Sequence, residues 1–120
     1  MTGLEPDTEY AYRVGNDRIG WTDEYTFTTD AQSESWNFLA FADAQIGVDA
    51  KVKEQAAAWD KAVNTATSEH PDASFIMHLG DQIEGWGSAT AQTKAFTAPE
   101  KLRSYRLGVL RGNHETYTTK

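Results

Sequence analysis

Three short apolar runs, separated by segments with helical character, constrain the fold of most of this 120-residue chain. The runs are 36–42 (WNFLAFA), 73–79 (ASFIMHL) and 107–110 (LGVL). Their nearly continuous apolar character is typical of strands that are buried on both faces of a sheet. Between the first two runs, apolar side chains recur every three or four residues, which predicts a helix over 50–68.

The segments between the runs determine how the strands pair. Shorter helices are predicted over 90–96 and 99–105, between the second and third runs. We expect Asp49 to cap the long helix and His70-Pro71 to end it. The order is therefore strand, helix, strand, helix, strand, and it predicts an α/β fold with a parallel sheet.

Residues 1–30 have the two-residue alternation of short strands rather than a helical pattern. Apolar side chains alternate with smaller or polar ones on either side of a predicted turn at 15–17, as follows: Tyr10, Tyr12 and Val14 before the turn, Tyr25 and Phe27 after it. The polar segment 31–35 is predicted to link this β piece to a second unit at 36–120.

The composition excludes several classes of function. The chain has no Cys, which excludes disulfides, Cys-ligated zinc and thiol nucleophiles. Its net charge of -7 argues against binding to a nucleic-acid backbone. No apolar run reaches the roughly 20 residues of a membrane span, and no signal peptide is expected at the N-terminus. A dinucleotide-binding sheet is disfavoured because no Gly-x-Gly-x-x-Gly follows the first strand.

Each predicted strand is followed by side chains of types that bind metals. These residues are Asp43 and Gln45 after the first strand, Asp81 and Glu84 after the second, and Asn113, His114 and Glu115 after the third. Because ligands of open parallel sheets bind outside the carboxyl ends of the strands, we expect the three groups to converge. Carboxylates, amide oxygens and imidazoles are ligands of Mn, Fe, Zn or Mg.

These residues resemble the motifs of the calcineurin-like metallophosphoesterases. The motifs are DxQ at 43–45, GD at 80–81 and GNHE at 112–115. The run LEPDTEY at 4–10 is similar to the tyrosine corner of a fibronectin type III-like domain, and that domain ahead of a phosphoesterase domain resembles purple acid phosphatase-like proteins. The implied fold is the N-terminal half of a metallophosphoesterase βαβαβ sheet, preceded by the last strands of a fibronectin type III-like β-sandwich.

The resemblance also implies a chemistry, which is hydrolysis of phosphate mono- or diesters by a hydroxide bound to two metal ions. The ions would be divalent or trivalent Fe, Zn or Mn. Asp43 and Gln45 would bind the first ion, Asp81 would bridge both, and Asn113 would bind the second. His114 is the implied catalytic residue, acting on the phosphate as an acid or electrostatic stabiliser. A cluster of carboxylates suits an anionic phosphate ester only as a metal site, because the cations reverse the repulsion.

Two positions depart from the family pattern. Gln45 stands where the wider family has His, and Glu84 stands where purple acid phosphatases have a metal-binding Tyr. Three roles therefore remain for Glu84: a metal ligand, a hydrogen-bond partner of a ligand, or a solvated side chain. Glu115 is expected to fix its loop or the surroundings of His114, although it is also a possible ligand. Two later family motifs that carry histidines are missing, so the chain is interpreted as a fragment that is weakly active or inactive alone.

Three further side chains have competing interpretations. We expect His78 to be a hydrogen-bonded core residue and His70 to lie on the surface. Trp86 either forms a wall beside the substrate or packs on its own loop, and the second is favoured. The alternative to an enzyme is a non-catalytic fibronectin-like binding or adhesion protein with a degenerate phosphoesterase domain, which Gln45 favours. For the parent protein, the resemblance implies an extracytoplasmic location.

Overall fold

The computed structural model describes residues 2–119, which form seven strands and two α-helices joined by loops and short 3-10 turns. The strands are β1 (Glu9–Tyr12), β2 (Gly15–Asn16), β3 (Gly20–Trp21), β4 (Tyr25–Thr28), β5 (Leu39–Phe41), β6 (Ile76–His78) and β7 (Leu107–Val109). The α-helices are α1 (Val52–Glu69) and α2 (Ala89–Phe96). The 3-10 turns are Val48–Ala50, Glu100–Arg103 and His114–Thr119.

Strands β5, β6 and β7 form one parallel sheet in that order. Leu39 pairs with Ile76, and Ile76 pairs in turn with Leu107. Helix α1 connects β5 to β6, and α2 with a 3-10 turn connects β6 to β7. The predicted α/β fold with a parallel βαβαβ arrangement is therefore confirmed.

The N-terminal strands pair antiparallel, as the alternation predicted. In the β1–β4 pair, Tyr10 lies opposite Phe27 and Tyr12 lies opposite Tyr25, and β2 pairs with β3 at the tip. The Tyr10 hydroxyl accepts the N–H of Glu5 at 2.9 Å, which is the backbone contact of a tyrosine corner. The expected division at 1–30, 31–35 and 36–120 stays a prediction.

The N-terminal β piece contacts the segment that leads into β7. The Tyr12 hydroxyl donates to the carbonyl of Arg103 at 2.7 Å. The Arg103 guanidinium lies 5.3 Å from the centre of the Tyr25 ring, within the range of a cation–π interaction. Arg106 forms an ion pair with Asp30. The β piece is thus attached by polar and aromatic contacts rather than by a shared apolar core.

The apolar core lies between the sheet and the helices. Trp59 of α1 is at its centre, stacked on Phe96 of α2 with 5.1 Å between ring centres, and its indole N–H donates to the Phe96 carbonyl at 2.8 Å. The other buried apolar side chains of this cluster are Ile46, Val63, Ile76, Ile83 and Leu102. No helix within residues 2–119 has both the length and the hydropathy that crossing a membrane requires.

The first apolar run is not buried on both faces, so that expectation was wrong. Trp36 is 64% exposed and Phe38 is 47% exposed, whereas Leu39 and Phe41 pack against the core. Phe38 stacks on Phe75 of the neighbouring segment with 4.9 Å between ring centres. Because successive side chains of an extended chain point to opposite faces, Trp36 and Phe38 lie on the face away from the helices, opposite to Leu39 and Phe41.

Asp49 does not cap the long helix. It lies within the 3-10 turn at a φ of 52°, and Lys51 occupies the position before α1 without a side-chain cap. Gln55, in the first turn of α1, instead holds the loop that precedes the helix. Its Oε1 accepts the N–H of Gly47 at 2.7 Å and its Nε2 donates to the carbonyl of Val48 at 3.1 Å. The helix ends at Glu69, next to the predicted His70-Pro71 stop.

The segment predicted to be helical over 99–105 is a 3-10 turn, Glu100–Arg103, and not an α-helix. Pro99 precedes this turn with a ψ of 124°, which is extended rather than helical. The Arg103 side chain donates to the carbonyls of Ala98 and Pro99. The Pro99 carbonyl also accepts the N–H of Leu102 at 3.2 Å, so a backbone donor and a side-chain donor together hold this turn.

Candidate metal centre

The loops after β5, β6 and β7 meet at the carboxyl end of the sheet. The N–H of Asp43 donates to the carbonyl of Gly80 at 3.2 Å. The N–H of Gln45 donates to the carbonyl of Asp81 at 2.9 Å. From the third loop, the N–H of His114 donates to Oδ1 of Asp81 at 2.9 Å. Asp81 is therefore the residue through which all three loops contact one another.

Three of the predicted ligands have an unusual backbone conformation. Asp43, Gln45 and Asp81 adopt φ angles of 55°, 39° and 53°. This left-handed region costs an L-residue about 1–2 kcal/mol, although Asp tolerates it better than most. Such strain persists only where surrounding contacts fix the backbone, and it clusters at functional sites.

Two glycines allow the second and third loops to touch. A Cβ at Gly112 would collide with both the backbone nitrogen and Oδ1 of Asp81. A Cβ at Gly80, which has a φ of 117°, would lie 2.9 Å from the Cα of Gly112. The glycines of the GD and GNHE motifs are thus required for the close approach of these loops, not for chemistry.

Glu115 joins the same two loops through four backbone hydrogen bonds. Its Oε2 accepts the N–H groups of Asp81 at 3.0 Å and Gly112 at 2.7 Å. Its Oε1 accepts those of Gln82 at 2.7 Å and Ile83 at 3.2 Å. We call this set of contacts the Glu115 bridge. Because both oxygens already bind N–H donors, this geometry favours a loop-fixing role over metal ligation.

Glu84 contacts the predicted catalytic histidine. Its Oε2 lies 3.2 Å from Nδ1 of His114, and its carbonyl oxygen lies 3.0 Å from the same nitrogen. Both neighbours are acceptors, so the hydrogen-bond network assigns a proton to Nδ1. Glu84 therefore orients the His114 ring in the tautomer that leaves Nε2 for another partner.

The remaining oxygens define what a metal could bind. Within residues 2–119, the Asp43 carboxylate, Oδ2 of Asp81 and Oδ1 of Asn113 have no hydrogen-bond partner. The amide nitrogen of Asn113 donates to the hydroxyl of Tyr117 at 3.1 Å. The amide oxygen of Asn113 is therefore the atom that remains available to a metal. These oxygens are hard ligands of the kind that Mn, Mg or Fe accept.

The donor set is nevertheless incomplete for two ions. Across the described part of the chain, no group of three or more His, Cys, Asp or Glu side chains is placed to hold a metal ion. Asp43 and Asp81 are the two carboxylates with free oxygens near the loops, and Gln45 and Asn113 would have to add amide oxygens. These four residues are too few to complete two metal sites, and their assignment as ligands stays a prediction.

His78 lies beneath the site, in the core. It is 0% exposed and packs edge-on against Trp59 and Phe96, with ring centres 5.4 Å and 5.0 Å away. Its Nδ1 lies 3.2 Å from Nε2 of Gln82, which also donates to the carbonyl of Leu110 at 2.8 Å. The expected role of His78 as a hydrogen-bonded core residue is confirmed, and His70 is exposed as expected.

The charge state of His78 follows from its surroundings. Burial lowers the pKa of His78 below its ordinary value of 6.5. Three carboxylates oppose this shift in part, those of Glu115, Asp43 and Asp81. Because desolvation is the largest cause, His78 is a neutral side chain that accepts a hydrogen bond from Gln82 at Nδ1.

Trp86 both packs on the protein and remains accessible. Its ring stacks on Tyr117 with 4.8 Å between centres, yet the residue is 55% exposed. Three further residues at the site, Tyr117, Gln82 and Gln92, belong to no motif of the sequence. Buried glutamines have no pattern of their own in a sequence, and Tyr117 is recognisable only by its position four residues after Asn113.

Side chains of metal-binding types thus stand at the carboxyl ends of three parallel strands of an α/β fold. Residues 1–29 match the family model of the purple acid phosphatase N-terminal domain. No curated protein matches the chain significantly in sequence.

A solved structure similar to this chain is that of the purple acid phosphatase PPD1 isolated from yellow lupin (Lupinus luteus) seeds. The match has a TM-score of 0.64 at 23% sequence identity, and it covers 93% of this chain and 22% of the lupin chain. At this identity the match shows a shared fold. The resemblance to purple acid phosphatase-like proteins that the motifs indicated is confirmed, for a chain that spans about a fifth of that relative.

Proposed function

We propose that this chain carries part of the active site of a metal-dependent phosphoesterase, a hydrolase similar to the acid phosphatases that cleaves phosphate mono- or diesters. One observation carries the proposal most strongly. The DxQ, GD and GNHE loops meet at the carboxyl end of a parallel sheet, joined through Asp81, in a fold shared with a purple acid phosphatase. By the same likeness, we place the parent protein outside the cytoplasm.

The residues with free oxygens would hold the metal. Asp43 and Gln45 would bind one ion of Fe, Zn or Mn, Oδ2 of Asp81 would be shared, and Asn113 would bind a second ion through Oδ1. The chemistry supplied by such ions, when bound, is Lewis acidity toward phosphate oxygens and a lowered pKa for water. Ligands beyond these four residues are needed to complete two metal sites.

His114 would act on the substrate through Nε2. The contact of Nδ1 with Glu84 fixes the ring, so that Nε2 is the atom left for a phosphate oxygen or the leaving-group oxygen. In the imidazolium form, Nε2–H donates a hydrogen bond to developing negative charge and supplies a proton to the departing alcohol. Glu84 is then a positioning residue for His114 and not a metal ligand.

The experiment compares metal binding and turnover in matched variants of the 120-residue chain. Mn²⁺ binding is measured by electron paramagnetic resonance, and hydrolysis of nitrophenyl phosphate and its diester is measured after loading with Mn, Fe or Zn. We expect measurable Mn²⁺ binding with feeble hydrolysis, because the four proposed ligands are too few for two ions. Asp81→Asn should remove both, and Asp60→Asn, on the exposed side of α1, should leave both unchanged.

A second candidate is a non-catalytic binding or adhesion protein with a degenerate phosphoesterase domain. It is favoured by Gln45 in the place of a histidine and by the lack, within residues 2–119, of a cluster of three acidic or imidazole ligands. Mn²⁺ binding that Asp81→Asn does not change would support this candidate and reject the enzyme. Vigorous hydrolysis by the chain alone would show instead that the four proposed ligands suffice.

A further inference from the structure

An aromatic side chain connects the candidate metal centre to the protein surface. Tyr117 packs edge-on against His114, with 5.1 Å between ring centres, and its hydroxyl accepts a hydrogen bond from Asn113 at 3.1 Å. Tyr117 also contacts Trp86, with 4.8 Å between ring centres and an interplanar angle of 31°. The indole of Trp86 is thus one ring away from the residues proposed to bind metal and phosphate.

The backbone holds Trp86 in a fixed place while its ring stays accessible. Gly85 and Gly87 on either side adopt positive φ angles of 81° and 78°. Gln92 of α2, only 3% exposed, accepts the N–H of Gly85 at 2.9 Å and donates to the Trp86 carbonyl at 2.6 Å. A rigid aromatic side chain that remains 55% exposed can bind a ligand at a low cost in conformational entropy.

Trp86 lines a cleft of about 430 Å³. Glu84, whose carboxylate contacts His114, lines the same cleft, together with Asp49 and the backbone of Gly47. The volume lies within the range of small-molecule sites. The cleft therefore offers one aromatic surface and two carboxylates, and no basic side chain lines it.

We propose that Trp86, supported by Tyr117, binds the alcohol part of the substrate, and that the preferred substrates are phosphate esters of aromatic alcohols. The inference rests on the proposed phosphoesterase function. Offset stacking between two rings stabilises a complex beyond the burial of apolar area. Because Asp49 and Glu84 would repel a second anionic group, the favoured class is a phosphate ester whose aryl alcohol part is uncharged and whose only anionic group is the phosphate.

The test measures binding of two non-hydrolysable probes to the Mn²⁺-loaded chain by calorimetry. The probes are phenylphosphonate and methylphosphonate, which share the anionic group and differ in the ring. We expect phenylphosphonate to bind about threefold to tenfold more tightly, the range of an aromatic pair. Trp86→Leu should abolish this preference, Trp86→Phe should keep most of it, and both should leave methylphosphonate binding unchanged. Trp36→Leu, at an exposed tryptophan on the sheet face away from the helices, is the matched control.

The outcomes separate the two levels of the proposal. If the wild type binds both probes equally, or if Trp86→Leu keeps the preference for the ring, the aromatic subsite is rejected and the phosphoesterase proposal stands. If neither probe binds at any Mn²⁺ concentration, the phosphoesterase proposal itself fails and the subsite fails with it. Circular dichroism of each variant shows that a loss of binding is not a loss of fold.

Discussion

The loops after β6 and β7 are joined by side chains, whereas the loop after β5 is attached to them by its backbone. The Glu115 bridge and the contacts of His114 with Asp81 and Glu84 fix the first two loops. By contrast, Asp43 contributes one backbone N–H, and its carboxylate has no hydrogen-bond partner within residues 2–119. One half of the candidate centre is therefore preorganised by the protein, and the other half is left for a ligand to organise.

The largest effect on stability is expected from Glu115→Gln, which removes hydrogen bonds of the preorganised half of the centre. The amide nitrogen of Gln cannot accept a hydrogen bond, so that two of the four bridged N–H groups lose their partner. At about 1–3 kcal/mol for each unpaired group, the free energy of unfolding should fall by about 2–6 kcal/mol. Urea unfolding measures it, with Glu69→Gln at the exposed end of α1 as control. Equal urea midpoints for Glu115→Gln and Glu69→Gln would show that the Glu115 bridge does not stabilise one half of the centre more than the other.

The second expected effect concerns the half left for a ligand. Asp43→Asn should weaken Mn²⁺ binding at least tenfold, because even residues that only support metal ligands contribute that much. In the absence of metal it should change the free energy of unfolding by less than about 0.5 kcal/mol, as at an exposed site. A clear loss of metal-free stability would contradict the view that this carboxylate has no protein partner.

A smaller effect is expected for the segment that follows Gln45. Gln55→Ala removes two hydrogen bonds, to the N–H of Gly47 and the carbonyl of Val48. The Val48 carbonyl keeps the N–H of Lys51 as a partner at 3.0 Å, so only the N–H of the buried Gly47 is left unpaired. We therefore expect a loss of about 1–2 kcal/mol, less than for Glu115→Gln. Thermal unfolding measures it, and Lys53→Ala on the exposed side of α1 is the control. A loss as large as that of Glu115→Gln would remove the contrast between the loops.

The smallest effect is expected for the pH dependence of stability that His78 contributes, in the core beneath the preorganised loops. Because burial lowers the pKa of His78, the unfolded chain binds more protons there than the folded one, and stability falls as the pH drops through about 6.5. Between pH 7 and pH 6 the contribution is at most about 0.7 kcal/mol. In His78→Leu, urea midpoints should lose this part of the pH dependence. An unchanged slope would mean that His78 does not titrate in this window.

Much of the fold could be predicted from the sequence because it depends on local patterns. The spacing of Val52, Trp59 and Val63 predicted α1, and the apolar runs gave the parallel order of β5, β6 and β7. The burial of those runs could not be predicted from their apolar residues alone. Trp36 and Phe38 lie in an apolar run and yet are partly exposed, because an apolar run does not indicate which face of the sheet the helices will cover.

The candidate centre could be predicted in its residue types but not in its connections. The strand-end positions of Asp81 and His114 follow from topology. The Glu115 bridge depends on N–H groups more than 30 residues away, and the roles of Gln55 and Gln92 depend on loops that fold back on a helix. Backbone donors are identical in every residue, so no sequence pattern shows which side chain will bind them.

The Glu115 bridge also has a consequence for the order of folding events. It joins positions 34 residues apart, whereas the β1–β4 hairpin pairs residues as close as Tyr12 and Tyr25. Pairing across long separations is slow, because the entropy of closing the loop is lost before the contacts form. We therefore expect the hairpin to form early and the bridge to close after the transition state. Breaking the bridge should then accelerate unfolding far more than it slows refolding.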